Sequence, residues 1–297
     1  MTTAVLRMQS ENRLSHWLEL TKFRISSVST LTAAMGFIAY SRHVTFGLFT
    51  AVTGTLLLAM GSSTLNEVQE SEIDACMQRT RHRPVPSGFV SVRTATFAAM
   101  LMATLGAFIL YATRGTVPAL LGLLAMVWYN GIYTPLKRMT AFAVVPGSVI
   151  GALPPAIGWT AAGGTLDQPA LLSLCFVFFL WQVPHFWLLA LRHQEDYARA
   201  GLPTLGDFFT STQIFRLIFT WTSASVAAST LLMLFQAVTG VVGTVIIAAS
   251  GAWLVWRFTW MLRRSQDRKR IFVSFMDINR YALALMLAVA FDSLVGV

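Results

Sequence analysis

Long apolar runs recur along this chain, and they constrain its fold more than any other feature of the sequence. A membrane-spanning helix needs roughly 20 mostly apolar residues. The runs that approach or reach this length have the approximate limits 25–41, 46–65, 92–112, 116–133, 140–160, 169–191, 216–236, 238–258 and 280–296. Because lipid offers no partner for open backbone groups, each run is expected to be helical. The sequence therefore predicts an all-α fold, a polytopic membrane bundle of nine transmembrane helices.

The composition agrees with a membrane protein and excludes a water-soluble enzyme. Apolar residues make up 55% and charged residues only 12% of the 297 positions. A soluble domain carries about 25% charged residues, so this chain has too few to cover a surface that faces water. The net charge of +9 is therefore interpreted as basic loops beside a lipid bilayer, with no nucleic-acid partner. Cys76 and Cys175 supply neither a disulfide framework nor a metal quartet.

The distribution of basic residues predicts the orientation of the bundle. If the N-terminus is cytoplasmic, all 22 Lys and Arg residues except Arg42 and Arg114 lie in or beside inward-facing segments. This is the bias described by the positive-inside rule, and nine spans then place the C-terminus outside. Residues 1–297 are interpreted as one integral membrane domain with a polar cytoplasmic segment at 1–18. The first residues lack a secretory or transit-like pattern, which favours a bacterial plasma membrane over a mitochondrion.

A polar stretch after the second apolar run has the composition of a metal and diphosphate site. Asn66, Glu70 and Asp74 are four residues apart, so on a helix their side chains form one stripe. Mg²⁺ prefers carboxylate oxygens and shares its remaining positions with substrate phosphates. Arg79 and Arg83 follow within one loop, and guanidinium groups bind phosphate oxygens in forks. The alternatives are an ordinary solvated helix end and arginines that serve only the topology.

Two further polar clusters are expected on the same side of the membrane. The sixth run contains Trp181 and His185 and leads into Arg192 and Asp196, which lie seven and eleven residues beyond the histidine, near one helical stripe. A histidine inside an apolar span is a candidate functional residue, and a hydrogen-bonded packing role is the alternative. The fourth run ends in a third cluster that consists of Tyr133, Lys137 and Arg138.

These motifs resemble those of the UbiA-type intramembrane prenyltransferases. The family pattern N-x-x-x-D/E-x-x-x-D followed by M-x-R-T-x-x-R-P is matched at 66–84, and Y-T-P-x-K-R is matched at 133–138. The segments W-Q-x-P-H-F-W-x-L-A at 181–190 and D-Y-x-x-A-G-x-P at 196–203 are similar to those of the subgroup that farnesylates protohaem IX. Glu70 stands where many members have aspartate, and the second aspartate-rich motif of other members is replaced here.

The resemblance implies transfer of the farnesyl group of farnesyl diphosphate to a vinyl group of haem b, with addition of water, to give haem O and diphosphate. It implies Mg²⁺ as the divalent cation, held through Asn66, Glu70 and Asp74. The expected catalytic residues are Asn66, Glu70, Asp74, Tyr133, Lys137 and His185. The expected substrate-binding residues are Arg79, Arg83, Lys137, Arg138, Trp181, His185, Arg192 and Asp196. For His185, iron ligation, a propionate contact and ordering of the site stay open.

Two other functions stay open from the residues alone. A transferase of the same type acting on an aromatic quinone precursor would be favoured by the second aspartate-rich motif. A non-enzymatic haem transporter or delivery protein would be favoured by inverted repeats and polar groups at the membrane midplane, whereas here the polar groups gather at one rim. The resemblance also implies a downstream partner, a haem A synthase or a terminal oxidase assembly.

Overall fold

The computed structural model describes residues 13–262 and 268–295, and over these ranges the ordered elements are helices. The long helices are α1 (Phe23–Ser41), α2 (Phe46–Gln69), α3 (Val92–Arg114), α4 (Thr116–Leu136), α5 (Ala141–Ala161), α6 (Pro169–Arg192), α7 (Ser211–Leu234), α8 (Val241–Leu262) and α9 (Arg268–Val295). Eight of them, α2 to α9, are long and apolar enough to cross a membrane. The predicted all-α multi-pass bundle is confirmed, and α1 is the more polar, 19-residue member.

The ninth helix is longer than its apolar run, so the predicted span at 280–296 began too late. The helix covers Arg268–Val295, and its added turns contain Asp277, which is 2% exposed. This carboxylate accepts hydrogen bonds from Arg257 of α8 at 2.9 Å and from Arg280 at 2.8 Å. Because the ion pairs satisfy the buried charge, the helix continues through a position that hydropathy alone excludes. The expected end of the span at residue 296 lies outside the described residues.

The turn between α7 and α8 lies at 235–240, where the two apolar runs predict it. Thr210 and Gln213 form a capping box, so α7 begins about five residues earlier than its apolar run indicates. At the other end, Asp292 of α9 accepts the backbone N–H groups of Thr239 and Gly240 at 2.8 and 2.7 Å. These hydrogen bonds supply partners for backbone donors that precede α8. The hairpin is therefore held by a third helix, which its local sequence does not reveal.

Small residues let the N-terminal helices approach one another closely. A Cβ added at Gly158 of α5 would overlap the carbonyl oxygen of Ala33 in α1. One added at Gly61 of α2 would lie 2.7 Å from the carbonyl oxygen of Ala99 in α3. Membrane helices associate through such close backbone contacts, because lipid tails remove most of the hydrophobic driving force. Helices α1 to α5 form a tightly packed half that carries the first and third polar clusters.

The second half of the bundle has a core of larger side chains. Helices α6 to α9 bury Phe178, Trp187, Ile218, Phe258 and Tyr281 between them. Trp187 and Trp221 meet edge to face, with ring centroids 6.0 Å apart. The three polar clusters are predicted to face the cytoplasm, which requires them to lie at the same end of both halves. Contacts between the clusters place them together at one end.

Candidate active site at the polar rim

The end of α2 carries the first polar cluster into the interior of the bundle. The helix ends at Gln69, Glu70 forms the junction, and a short helix follows over Ser71–Cys76. The predicted continuous stripe is therefore wrong at one point, because the backbone breaks at Glu70. Asn66, Glu70 and Asp74 are nonetheless only 1%, 4% and 1% exposed. The alternative of a solvated helix end is excluded by this burial.

Both carboxylates of this cluster contact cations from other segments. Glu70 forms an ion pair with Lys137, which follows α4. Asp74 forms one with Arg83, whose NH1 lies 2.6 Å from Oδ2, and its backbone carbonyl accepts the hydroxyl of Thr80 at 2.9 Å. A buried charge requires such partners because its desolvation costs several kcal/mol. The structure thus brings Lys137 and Arg83 to the carboxylates with which the sequence analysis grouped them.

Lys22 is a residue of this cluster that the sequence analysis missed. Its Nζ donates to Oδ1 of Asn66 at 2.7 Å, and the amide of Asn66 donates to the hydroxyl of Thr134 at 3.0 Å. Lys22 has a φ of 46°, a left-handed conformation that is uncommon for a residue with a side chain. Backbone strain of this kind is concentrated at functional sites. A lysine directly before the first apolar run was the available signal.

Glu67 is a second missed residue, and it anchors the loop that carries the arginines. Its side chain is fully buried, and Oε1 accepts the backbone N–H of Val85 at 3.1 Å. Its Oε2 is buried and has no hydrogen-bond partner among the described residues. The contact with Val85 fixes the loop two residues after Arg83, which positions that guanidinium beside Asp74.

A π-helical turn in α4 positions the third cluster. The turn spans Trp128–Tyr133, and Asn130 within it donates to the carbonyl of Ser62 at 3.0 Å and to Oε1 of Gln69 at 3.1 Å. The hydroxyl of Ser62 in turn donates to Oδ1 of Asn130 at 2.7 Å. Such turns are frequent at functional sites. The hydrogen bonds tie α4 to the end of α2, so the first and third clusters form one site.

The ring of Tyr133 lies between the polar cluster and the aromatic half of the bundle. It stacks on Phe186 of α6 with centroids 5.6 Å apart and planes at 10°, and on Tyr129 at 5.8 Å. The Nζ of Lys137 lies 5.9 Å from its centroid. Gly147 permits this position, because a Cβ there would overlap the ring. Tyr133 therefore connects the cationic end of the site to the second cluster.

His185 lies beyond Phe186, inside α6. Its ring contacts Trp181 and Phe275 with centroids 4.8 and 4.9 Å apart, and it lies beside the side chain of Asn279 of α9. The Nδ1 atom is buried and has no partner within the described residues. Trp181 donates from Nε1 to the carbonyl of Ile278 at 2.8 Å, which fixes α6 against α9. Asn279 and Phe275 were missed because hydropathy placed them before the ninth span.

Arg192 and Asp196 lie at the rim of the site. Arg192 shares α6 with His185 at the expected spacing of seven residues, whereas the expected stripe is wrong for Asp196, because α6 ends at Arg192 and a separate short helix carries Asp196. The guanidinium of Arg192 stacks on Phe272 of α9 at 4.2 Å. Asp196 accepts the backbone N–H of Gln78 at 3.1 Å and pairs with Arg199 at 3.0 Å. Asp196 therefore joins the second cluster to the loop of the first.

The remaining predicted residues surround the mouth of the site. Arg79 is exposed, and its guanidinium interacts electrostatically with the carboxylate of Asp196. Arg138 donates from NH2 to the carbonyl of Gln69 at 2.5 Å, so it supports the end of α2. Burial, together with neighbouring arginines, lowers the pKa of His193 to about 4. His193 is therefore neutral at pH 7 and adds no positive charge to this rim.

The oxygen donors of the first cluster match the preferences of a hard divalent cation. Asn66, Glu70 and Asp74 provide one amide and two carboxylates, the donor types that Mg²⁺ binds alongside water and phosphate. In the described part of the chain, no group of three His, Cys, Asp or Glu side chains is arranged to hold a metal. Lys137 and Arg83 contact the two carboxylates instead. The magnesium site stays a prediction that the donor chemistry fits.

The sequence is similar to known proteins over most of its length. The model of the UbiA prenyltransferase family matches residues 27–280. The chain is 45% identical to the protoheme IX farnesyltransferase of Geobacter sulfurreducens over 188 residues, which cover 63% of this chain and 68% of that protein. It is 34% identical to the protoheme IX farnesyltransferase of Nostoc sp. over 284 residues, which cover 95% of this chain and 89% of that protein.

Solved structures share the fold. A UbiA homolog from Archaeoglobus fulgidus bound to DMAPP and Mg²⁺ superposes with a TM-score of 0.73 and 16% identity, covering 94% of this chain and 98% of that chain. A structure described for digeranylgeranylglyceryl phosphate synthase superposes with a TM-score of 0.74 and 14% identity, covering 95% and 99%. At these identities the similarity concerns the arrangement of helices and not the substrates.

Proposed function

Because the chain belongs to the UbiA prenyltransferase family, we propose that it transfers the farnesyl group of farnesyl diphosphate to a vinyl group of haem b. Water adds in the same process, and the products are haem O and diphosphate. The name shared by its relatives, protoheme IX farnesyltransferase, supports both substrates. The motif at 181–190, which resembles that of the haem-farnesylating subgroup, supports the same acceptor.

One observation carries the proposal: buried oxygens and cations from separate elements converge at one place. The side chains come from four segments: the loop before α1, the end of α2, the segment that follows α2 and the end of α4. They are Lys22, Asn66, Glu70, Asp74, Arg83 and Lys137. A site for a prenyl diphosphate and its divalent cation needs both anionic and cationic side chains, since carboxylate oxygens bind the metal and cationic side chains bind the phosphate oxygens. Packing alone would not favour buried charges, because apolar residues stabilise a core as well or better.

The residues of the cluster act on the leaving group. When bound, Mg²⁺ neutralises diphosphate charge and makes the diphosphate a better leaving group. Lys22, Arg83 and Lys137 stabilise the negative charge that develops as the C–O bond breaks. The ring of Tyr133 lies beside Lys137 and presents an aromatic face to the allylic carbon. Together with Phe186 it keeps water away from the reacting carbon.

The second cluster forms the acceptor side of the proposed site. Trp181 and His185 line its apolar interior, next to Phe186. Arg192 and Asp196 lie at the rim. Haem has apolar vinyl groups at one edge and anionic propionates at another, and this division of apolar and charged side chains matches it. We assign Arg192 to a propionate and the aromatic interior to the macrocycle.

The proposed setting is a bacterial plasma membrane with the polar rim at the cytoplasmic face. The near-complete bias of basic residues toward one side supports this orientation, in which the N-terminus is cytoplasmic and the C-terminus outside. Haem O released into the membrane requires a consumer, and a haem A synthase or a terminal oxidase assembly is the proposed partner.

Haem extraction from cells that express the chain tests the proposed function. The extract is separated by reverse-phase chromatography and compared with that of cells carrying the empty vector. A new and more hydrophobic haem is the expected result. A prenylated quinone precursor in its place would favour the aromatic-acceptor transferase, and neither product would favour a haem carrier. Both of these results would overturn the proposal.

A further inference from the structure

The apolar part of the site contains a polar pair that leaving-group chemistry does not use. The side chains of His185 in α6 and Asn279 in α9 lie beside each other. The Nδ2 of Asn279 donates to the carbonyl of Phe275 at 2.6 Å, which leaves its Oδ1 as the atom that can accept from the imidazole. The Nδ1 of His185 is buried without a partner in the described structure, which leaves Nε2 as the nitrogen that can donate to Asn279.

A hydrogen bond from Nε2 to Oδ1 of Asn279 would select one tautomer of the imidazole. It requires a proton on Nε2, so Nδ1 would keep its lone pair. The rings of Trp181, Phe186 and Phe275 surround the imidazole at 4.8, 5.6 and 4.9 Å between centroids. In that tautomer, Nδ1 is a proton acceptor held among aromatic side chains.

A chain of aromatic contacts connects this acceptor to the leaving-group site. The Nζ of Lys137 lies 5.9 Å from the Tyr133 centroid, Tyr133 stacks on Phe186 at 5.6 Å, and Phe186 lies 5.6 Å from the ring of His185. A carbon cation formed near Lys137 is stabilised by the faces of these rings. His185 lies at the far end of this row of rings, on the side of the proposed haem site.

We propose that Nδ1 of His185, held in its tautomer by Asn279, accepts the proton of the water that adds during farnesyl transfer. This inference rests on the proposed function. The C–O bond of farnesyl diphosphate breaks and its electron pair leaves with the diphosphate. The vinyl π pair forms the new C–C bond, which leaves a cation on the carbon attached to the macrocycle. The water oxygen bonds that carbon, and one water proton passes to Nδ1.

The same cation can also react without adding water, and the product of that reaction provides the test. Without a base for water, the cation loses a carbon-bound proton to the released diphosphate and gives a farnesylated haem that lacks the added water. His185→Phe keeps an aromatic ring but removes the base, and Asn279→Leu removes the acceptor that fixes the tautomer. In both variants, the ratio of dehydrated to hydrated product should rise at least about tenfold over the wild type. Asn279→Asp retains an acceptor for Nε2–H and should restore the hydrated product.

Purified protein is incubated with farnesyl diphosphate, haem b and Mg²⁺, and the products are resolved by mass spectrometry. Ser274→Ala, which removes a different buried polar atom from α9, is the matched control and should keep the wild-type ratio. A wild-type product ratio in both His185→Phe and Asn279→Leu would overturn the inference. If His185→Phe does not fold, comparison of the product ratios of Asn279→Leu and Asn279→Asp decides whether the inference holds. No farnesylated haem from the wild type would instead overturn the proposed function.

Discussion

Asp74 illustrates how a single buried charge is held in this bundle. It is 1% exposed and pairs with Arg83 at 2.6 Å. An isolated carboxylate at that depth would cost several kcal/mol, and a well-packed apolar pair would be at least as stable. The proposed function accounts for this ion pair, because a diphosphate and its cation need both charges at this position.

Asp74→Asn is expected to lower turnover to less than a tenth of the wild-type rate. The amide keeps the shape of the side chain but loses the charge needed by a divalent cation and by Arg83. Asp167→Asn, at an exposed position, is the matched control and should keep its activity. Haem O formation is measured with purified protein at saturating Mg²⁺. Turnover of Asp74→Asn above a tenth of the wild-type rate would mean that Asp74 is not part of the metal site.

Lys22→Met is expected to weaken the binding of a non-hydrolysable farnesyl diphosphate analogue. A hydrogen bond to a charged group contributes about 1.5–3 kcal/mol, which corresponds to roughly a 10- to 100-fold rise in the dissociation constant. Lys22→Arg keeps the charge and should recover most of the affinity. Isothermal titration of both variants checks this expectation, and unchanged binding by Lys22→Met would place the lysine outside the site.

At the scale of elements, the sequence predicts the long helices well because hydrophobic length is a local property. It does not predict the π-helical turn at Trp128–Tyr133, since that turn is held by hydrogen bonds from Asn130 to another helix. The early start of α9 is missed for a similar reason, because Asp277 is neutralised only by its ion pairs. The motifs identify most site residues by type. Lys22 has only its position before the first apolar run as a signal, and Asn279 becomes visible only through its contacts.

Asp277→Ala is expected to destabilise the protein by about 1–3 kcal/mol, because it removes the buried acceptor of the hydrogen bonds from Arg257 and Arg280. The double variant Asp277→Leu with Arg257→Met removes both charges and should recover much of that loss. Thermal unfolding in detergent, followed by circular dichroism, compares the two with the wild type. A double variant less stable than Asp277→Ala would show that the pair itself stabilises the contact between α8 and α9.

Gly147→Val is expected to lower turnover at least about tenfold, because a side chain there overlaps the ring of Tyr133. Gly131→Ala is the matched control, since its Cβ would meet nothing closer than 3.9 Å. Steady-state kinetics on both variants, with melting temperatures to confirm folding, provide the test. Full activity in Gly147→Val would mean that the position of Tyr133 does not matter.

At the scale of the whole molecule, the two ends of the bundle differ in character. The polar rim joins both halves through the contact of Asp196 with Gln78. At another place, Arg42 and Asp292 line a separate cavity of about 460 Å³. That Arg42 faces outside stays a prediction. The fold concentrates the residues of the proposed site at one end of the bundle.

The orientation predicts the behaviour of reporters fused to the chain. Alkaline phosphatase joined after residue 297 should be active, because the C-terminus is expected outside. A fluorescent protein that folds only in the cytoplasm should be dark at the same position and bright when inserted after Arg138. A fluorescent reporter that is bright at both positions would mean that the number of membrane crossings is even, and reversed results at both positions would mean that the bundle is inverted.

The most direct test of the central claim is reconstitution of the reaction with the purified chain. Protein in lipid nanodiscs receives farnesyl diphosphate, haem b and Mg²⁺, and the haem is analysed by liquid chromatography and mass spectrometry. The account predicts a product heavier than haem b by one farnesyl group and one hydroxyl group, formed by the wild type and absent with Asp74→Asn. Haem b recovered unchanged from the wild type, while an aromatic quinone precursor accepts the prenyl group, would contradict it.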